Sequence, residues 1–227
     1  MSTKYPTSTR WIGTDEAGKG DYFGPLVVAG VLVYDSIAKS FKELGIRDSK
    51  KLSDSRVRDL ATRIKKTSLF STVIIGPEKY NELYCEIGNL NRLLAWGHSR
   101  VIENILKTEQ CAYAIADQFG DEKFIIQALM EKGKNIQVLQ RAGAESDMAV
   151  AAASIIARAE FIQRLAALSL KYGIDFPKGA STQVIETGKE FVERYGKERL
   201  NEVAKFHFKT TKLVLAKTGD TQQSIAT

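Results

Sequence analysis

Two apolar segments near the start of the chain flank a glycine-rich turn, and this pattern predicts a pair of strands. Residues 11–14 form a short extended segment, and residues 26–33 form an apolar run that is too short and too valine-rich for a helix. Between them lie residues that let a backbone turn tightly and approach a ligand closely, namely Gly18, Gly20, Gly24 and Pro25. The pattern therefore predicts a binding site at a strand end.

The rest of the chain alternates between apolar runs of strand length and segments with apolar residues at helical spacing. The predicted helices cover residues 36–44, a segment capped by Ser53, a short segment before Gly88, and then 90–107, 122–132 and 146–170, with more helices after about residue 179. The other predicted strands cover residues 70–75, 111–116 and 136–139. This order predicts an α/β fold with a mixed central β-sheet flanked by helices and with C-terminal helices.

A single domain is predicted to occupy residues 10–216, with its C-terminal helical part starting at about residue 179. Residues 1–9 are expected to be a polar leader, and residues 217–227 are expected to be a disordered tail. No apolar run approaches the ~20 residues that span a bilayer, and the N-terminus lacks the apolar core of a signal peptide. The expected location is therefore the cytoplasm, with no membrane partner.

A net charge of +6 weakly indicates an anionic partner, and the placement of the charges is more informative. Asp15, Glu16 and Asp117 stand in apolar surroundings, whereas basic residues cluster elsewhere along the chain. The basic clusters are Arg47, Lys50 and Lys51, then Lys65 and Lys66, and then Lys205, Lys209 and Lys212. An acidic centre with basic surroundings suits a phosphate substrate that is reached through metal ions.

Asp15 and Glu16 follow the first predicted strand directly. Adjacent residues on a strand face opposite ways, so two neighbouring carboxylates are not both solvated surface unless the strand ends or bulges. If both turn toward one place, a cation must offset their repulsion, and hard oxygen ligands suit Mg²⁺ or Mn²⁺. The alternative is an acidic turn that precedes a hairpin, and the glycine turn counts against it.

Three more acidic residues stand at the ends of predicted elements. Asp117 ends an apolar strand, where α/β sheets commonly place ligand-binding groups, and the alternative is that it caps the helix near residue 122. Glu145 and Asp147 stand at the start of an alanine-rich helix, where the helix dipole favours negative charge. That capping role is compatible with a metal role for one of them.

Three lysines in predicted loops are candidates for phosphate contact. Lys50 and Lys51 lie in the segment DSKKLS, for which a solvated charged turn is the alternative, and Lys178 precedes Gly179 in a later loop. His98 lies within a predicted helix. We expect a packing or surface role for it, because no second metal-type residue is spaced with it.

The segment DEAGKGDYFGP, residues 15–25, resembles the opening motif of the type 2 ribonucleases H, in which an Asp-Glu pair and a Gly-x-Gly turn begin the catalytic domain. Its DYFGP ending is typical of ribonuclease HIII rather than ribonuclease HII. Later segments are also similar to ribonuclease HIII, namely KYNEL with NLNRLLAWGH, the DQF triplet at residues 117–119, the AES triplet at residues 144–146, and PKGAS with AKFHFKTTK. The resemblance therefore covers most of the chain.

The resemblance implies the ribonuclease H-like fold and an active site with four acidic residues that hold two divalent ions, Mg²⁺ or Mn²⁺. By their positions in the motifs these are Asp15, Glu16, Asp117 and Glu145. The spacing from Glu145 to Ser154 is about one residue shorter than the family pattern, so Asp147 remains the alternative fourth acid. The implied substrate is an RNA–DNA hybrid, whose RNA strand is cut internally to leave 5′-phosphate and 3′-hydroxyl ends.

The resemblance also implies how the substrate is bound. Gly18, Lys19 and Gly20 would present backbone groups to ribose 2′-hydroxyls, and Lys50, Lys51 and Lys178 would contact phosphates. Ribonuclease HIII typically carries an N-terminal substrate-binding domain, whereas about nine residues precede the first strand here, so the lysines and C-terminal helices would have to supply hybrid binding. The expected assembly is a monomer.

Three other functions compete with this one. A ribonuclease HII-like enzyme would incise at single ribonucleotides in DNA, whereas ribonuclease HIII generally prefers runs of ribonucleotides. A non-catalytic module that binds hybrid or RNA would carry basic or aromatic groups at the acidic positions, because bare carboxylates repel phosphate. Another metal-dependent nuclease or phosphatase of related fold is the third possibility.

Overall fold

A mixed sheet of five strands forms the centre of the computed structural model, which describes residues 10–46, 49 and 52–216. In chain order the strands are β1 (Trp11–Ala17), β2 (Leu26–Val33), β3 (Phe70–Ile75), β4 (Tyr113–Asp117) and β5 (Gln137–Arg141). Across the sheet the order is β3-β2-β1-β4-β5, with antiparallel pairing among β3, β2 and β1 and parallel pairing among β1, β4 and β5. The mixed sheet expected from the sequence is confirmed.

Eight helices lie in the described part of the chain. They are α1 (Asp35–Glu43), α2 (Asp54–Thr67), α3 (Pro77–Ile87), α4 (Leu90–Leu106), α5 (Glu122–Ala128), α6 (Met148–Tyr172), α7 (Thr182–Tyr195) and α8 (Thr210–Leu215). Single turns of 3₁₀ helix occur at Gly133–Asn135 and Ala144–Ser146, and a longer one at Lys197–Glu202. The expected leader, the expected tail, Lys50 and Lys51 lie outside the described residues.

Two expectations about helix ends are tested here. The Ser53 cap is confirmed, because the Ser53 hydroxyl accepts a hydrogen bond from the Arg56 amide at 3.3 Å. The helix predicted over residues 122–132 is too long, since α5 ends at Ala128 and Leu129 leaves the helical conformation. The buried Glu103 carboxylate on α4 accepts the amides of Lys132 and Gly133, and these hydrogen bonds turn the chain toward β5 instead.

The sheet is covered on both faces. Helix α6 packs on one face and α4 on the other, and β2 is buried along its whole length between them. The contact between α6 and β1 is unusually close: a Cβ atom at Gly13 would come within 2.1 Å of the Ala149 carbonyl carbon and the Val150 amide. The run of alanines in α6 permits this approach, because small side chains let a helix lie directly on a sheet.

The register of β1 opens a cleft at one end of the sheet. β1 pairs with β2 as far as Ala17 and Val27, whereas its pairing with the parallel strand β4 ends at Thr14 and Ala116. Beyond that point β1 and β4 no longer share a ladder, and their next residues are acidic. The carboxyl ends of parallel strands are the usual place for a ligand in such sheets.

No helix among the described residues is both long enough and apolar enough to cross a membrane.

Candidate active site

Three carboxylates lie at the open end of the sheet. Asp15 and Glu16 follow the last β1–β4 pair on β1, and Asp117 follows it on β4. All three line one cleft of about 370 Å³ together with the glycine turn. The alternative of a solvated acidic turn for Asp15 and Glu16 is wrong, because both belong to β1 and the Glu16 side chain is only 11% exposed. The alternative cap role of Asp117 is wrong as well, since Asp121 caps α5.

Asp15 faces helix α6 and is partly buried. Its carboxylate accepts hydrogen bonds from the Ser154 hydroxyl and, at 2.8 Å, from the Glu16 amide. Burial, followed by the charge of Glu16, raises the pKa of Asp15 to about 7, and the charge of Asp117 adds to the effect. A negative charge at this position is therefore unfavourable unless a cation compensates it.

Glu16 faces the opposite side of the sheet, toward helix α4. Its Oε2 lies 3.2 Å from Nε2 of His98, and its Oε1 lies 3.4 Å from the ammonium of Lys19. Burial alone would raise the pKa of Glu16, but the hydrogen bond from His98 and the neighbouring positive charge outweigh it and hold the pKa below its ordinary value. Neighbouring carboxylates thus have opposite shifts, because their partners differ.

The glycine turn after β1 is fixed by the C-terminal part of the chain. Gly18 has a φ of 86°, and a Cβ atom there would lie 2.1 Å from the Pro25 carbonyl oxygen, so the turn requires glycine. The Gly179 amide donates to Asp21 at 2.7 Å, and the Gly179 carbonyl accepts the Tyr22 amide at 2.9 Å. Within the described chain, no backbone hydrogen bond occupies the amides of Lys19 and Gly20, and both residues line the cleft.

A buried lysine, Lys205, hydrogen-bonds to the C-terminal end of the same turn. The Lys205 ammonium is fully buried and donates to the Gly24 carbonyl at 2.6 Å, while the Lys205 amide donates to the Tyr22 carbonyl. Burial lowers the pKa of Lys205 to about 7. The expected phosphate-binding role of the basic residues near the C-terminus therefore does not extend to Lys205.

A network of charged residues borders the cleft on the α2 side. Asp54 accepts hydrogen bonds from Arg158 at 2.7 Å and from Lys178 at 2.6 Å. Arg158 also donates to the carbonyl of Ser49, and the Ser49 and Ser154 hydroxyls lie 2.7 Å apart. Lys178 is half exposed and lines the cleft.

The segment before α6 stands apart from this cleft. Asp147 accepts the amides of Ala149 and Val150 as the N-cap of α6 and accepts the Trp11 indole at 3.0 Å. Glu145 lies in the 3₁₀ turn, half-buried, and no hydrogen bond or ion pair holds it among the described residues. The preceding residue contacts one of the cleft acids, because the Ala144 amide donates to Asp117 at 3.1 Å. Neither Glu145 nor Asp147 lines the cleft itself.

The chemistry of the cleft fits a divalent cation. Three hard oxygen donors line the cleft, burial and then the charges of Glu16 and Asp117 raise the pKa of Asp15, and the Lys19 ammonium stands beside Glu16. No three His, Cys, Asp or Glu side chains in the described ranges already surround a single point that would hold an ion. A divalent cation still suits Asp15, Glu16 and Asp117, because all three supply oxygen donors and line the same cleft.

A second, larger cleft of about 610 Å³ is lined by residues next to the opposite end of β1. Two of its charged residues, Arg10 and Glu109, pair with each other at 2.6 Å. It holds no comparable group of carboxylates, so the cleft at the open end of the sheet is the better candidate for catalysis.

Comparison with known proteins decides the family. A family model described as Ribonuclease HII matches residues 12–211. Ribonuclease HIII of Protochlamydia amoebophila is 47% identical over 211 residues, which cover 93% of this chain and 70% of that relative. The chain belongs to the ribonuclease HII family, in its ribonuclease HIII branch. Ribonuclease HIII is a nuclease, so the expected enzyme class is confirmed.

Two solved structures agree with this assignment. The crystal structure of Bst-RNase HIII in complex with Mn²⁺ has a TM-score of 0.85 and 31% identity, and the match covers 92% of this chain and 70% of that chain. RNase HII from Archaeoglobus fulgidus, in a complex with PCNA, has a TM-score of 0.76 and 30% identity, with 92% and 98% covered. The ribonuclease H-like fold is thereby confirmed.

The cleft brings together most of the residues selected from the sequence. It is lined by Asp15, Glu16, Gly18, Lys19, Gly20, Asp117 and Lys178. Sequence reasoning missed the partners that hold the acids, Ser154 and His98, and the cleft residue Arg158. The expected packing role of His98 is confirmed, and a surface position is wrong, because the side chain is fully buried. Nothing in the sequence indicated its contacts with Thr14 and Glu16, because helical spacing does not reveal which strand a helix covers.

Proposed function

We propose that the chain is an endonuclease that hydrolyses the RNA strand of RNA–DNA hybrids, leaving 5′-phosphate and 3′-hydroxyl ends. The observation that carries the proposal is the convergence of Asp15, Glu16 and Asp117 on a cleft bordered by a glycine turn and by Arg158 and Lys178. Carboxylates alone repel a phosphate chain, so this arrangement suits phosphate chemistry only when cations are bound between acids and substrate. That requirement disfavours a non-catalytic binding module.

Asp15, Glu16 and Asp117 would hold the divalent ions, with Glu145 as the fourth acid by its position in the family motif. When bound, two Mg²⁺ or Mn²⁺ ions would supply a hydroxide nucleophile near neutral pH and neutralise charge on the scissile phosphate and the leaving 3′ oxygen. The protein's part is to hold the carboxylates. Ser154 orients Asp15, and the Ala144 amide orients Asp117.

The glycine turn supports a preference for ribose. Gly20 has open space where a side chain would begin, and the amides of Lys19 and Gly20 are available at the cleft. Backbone amides and carbonyls at this place are suited to hydrogen-bond a ribose 2′-hydroxyl, the group that separates RNA from DNA. Lys19, Arg158 and Lys178 would contact phosphates on either side, with Lys50 and Lys51 as further candidates from the sequence.

Cleavage of a labelled RNA–DNA hybrid tests this function, with RNA–RNA, DNA–DNA and single-ribonucleotide duplexes alongside, in Mg²⁺, in Mn²⁺ and in chelator. We expect metal-dependent cutting of the RNA strand of the hybrid alone. Binding of the hybrid without cutting in either metal would contradict the proposal. Efficient incision of the single-ribonucleotide duplex would instead assign ribonuclease HII-like specificity. Sedimentation of the same sample tests the expected monomer.

A further inference from the structure

His98 is a fully buried polar residue in the middle of helix α4, with both ring nitrogens occupied. Its Nδ1 lies 2.8 Å from the Thr14 hydroxyl, and its Nε2 lies 3.2 Å from Glu16 Oε2. The ring also stacks on Phe119, with centroids 4.6 Å apart and planes inclined by 19°. The ring is therefore held in place from three directions.

The hydrogen bonds define one arrangement of protons. A carboxylate only accepts, so Nε2 carries the hydrogen that points at Glu16, and in the neutral ring Nδ1 accepts the hydroxyl hydrogen of Thr14. Thr14 and Glu16 are two residues apart on β1 and therefore share the face that α4 covers. One histidine thus connects the last β1 residue that pairs with β4 to an acid that lines the cleft.

This connection distinguishes the two oxygens of Glu16. Oε2 is directed into the protein by His98, whereas Oε1 lies beside the half-exposed Lys19 at the cleft. A carboxylate on an unrestrained side chain would present either oxygen and would rotate between them. Partners behind a metal ligand commonly restrict such motion, and their loss typically lowers metal affinity or activity by about 10–100-fold.

We propose that His98 is a positioning residue that holds Glu16 with Oε1 directed into the cleft, so that the acid is preorganised for a divalent cation. The proposal rests on the metal-binding role given to the cleft under the proposed function. It assigns His98 no contact with the substrate or with the ion. The acceptor Glu16 fixes the Nε2–H tautomer, the Thr14 hydroxyl holds Nδ1, and the Phe119 ring holds the plane of the imidazole.

Two substitutions separate the two hydrogen bonds of the ring. The side chain of His98→Gln reaches as far as Nε2 and retains a donor toward Glu16, whereas the side chain of His98→Asn reaches only as far as Nδ1 and loses it. Titration calorimetry with Mn²⁺ on the folded proteins should show affinity about 10–100-fold weaker for His98→Asn and within a few-fold of wild type for His98→Gln. The control is His207→Gln, which replaces the only other histidine of the chain and leaves Glu16 untouched.

The outcomes separate this proposal from the proposed function. Wild-type affinity in a folded His98→Asn protein, or equal losses in both variants, would overturn the positioning role, because the donor toward Glu16 would then make no difference to metal affinity. Failure of the wild type itself to bind Mn²⁺ would instead overturn the metal site. Melting curves in chelator establish which variants are folded before any titration.

A second measurement needs no change at His98. In the His207→Gln protein His98 is the only histidine, so its ring nitrogens can be assigned directly in ¹H–¹⁵N NMR spectra. The expected spectrum is that of the Nε2–H tautomer, with resonances that shift when Mg²⁺ is added. An Nδ1–H tautomer, or ring chemical shifts that do not change at saturating Mg²⁺, would overturn the proposal even if His98→Asn fails to fold.

Discussion

The two acidic segments that border the sheet differ in what holds their carboxylates. On β1, Asp15 and Glu16 are each restrained by a partner from a helix, Ser154 on α6 and His98 on α4. In the segment before α6, Asp147 is committed to the helix cap and to Trp11, and Glu145 has no partner among the described residues. One segment is thus built around charges that face a cleft, and the other uses its charge to start a helix.

The difference shows that acidity near a site does not by itself make a ligand. Asp15 is held beside Glu16, and burial first and the charge of Glu16 second raise the pKa of Asp15 to about 7. Asp147 has the opposite character, because its two amide hydrogen bonds at a helix N-terminus stabilise a charged carboxylate. Of the two candidates for the fourth acid, Glu145 is the one whose side chain is uncommitted, and its neighbour Ala144 already contacts Asp117.

The largest expected effect comes from Asp15→Asn. Hybrid cleavage should fall by about 10³-fold, as for loss of a main electrostatic contributor to catalysis. Stability should change in the opposite direction: the folded pKa of about 7 lies above the ordinary 3.8, so the folded state binds the proton more tightly and the wild type loses stability as pH rises between these values. In chelator at about pH 8 the variant should melt about 2–4 °C higher, equivalent to about 1 kcal/mol. A melting temperature below that of the wild type would contradict the cost assigned to the buried Asp15 charge and its repulsion by Glu16.

The next largest effect on the cleavage rate is expected for Glu145→Gln, and Asp147→Asn is its comparison. We expect Glu145→Gln to slow cleavage by about 10²-fold, because a charge needed beside the metal is removed. Asp147→Asn should stay within a few-fold of the wild type, since asparagine caps a helix nearly as well as aspartate. Single-turnover rates at saturating Mg²⁺ decide between them, and the reverse pattern would make Asp147 the fourth acid.

A smaller effect, on stability alone, is expected for Asp147→Ala. The substitution removes the cap of α6 and leaves the Trp11 indole without its acceptor, for a loss of about 1–2 kcal/mol in the free energy of unfolding. Urea denaturation measures the loss, with Asp147→Asn as the matched variant that keeps the cap. Equal stability of the two variants would mean that the cap contributes nothing.

The smallest effect concerns the cations at the cleft. Lys178→Ala should weaken hybrid binding several-fold and reduce the slope of log affinity against log salt by about 1, because one phosphate contact is lost. Lys79→Ala is the matched control, since Lys79 also pairs with a carboxylate, Glu82, but does not line this cleft. An unchanged salt slope for Lys178→Ala would remove Lys178 from the substrate-binding surface.

The sequence predicted the parts of the site that lie in short local patterns. The acid pair, the glycine turn and Asp117 all stand at recognisable strand ends, and the family motif identified them as a group. The contacts Thr14–His98 and Asp15–Ser154 join residues that are far apart in the chain, so the periodicity of the sequence does not predict them. The length of α5 was predicted wrongly for the same reason, because the distant Glu103 carboxylate turns the chain after it.

The most direct test of the catalytic site is the rate at which wild type, Asp117→Asn and Asp147→Asn cut the RNA strand of a labelled hybrid as Mg²⁺ is raised. The expected result is Mg²⁺-dependent cutting by the wild type and by Asp147→Asn, with cutting by a folded Asp117→Asn protein slower by about 10²–10³-fold at every Mg²⁺ concentration. Cutting by Asp117→Asn at the wild-type rate would contradict the assignment of the cleft between β1 and β4 as the active site.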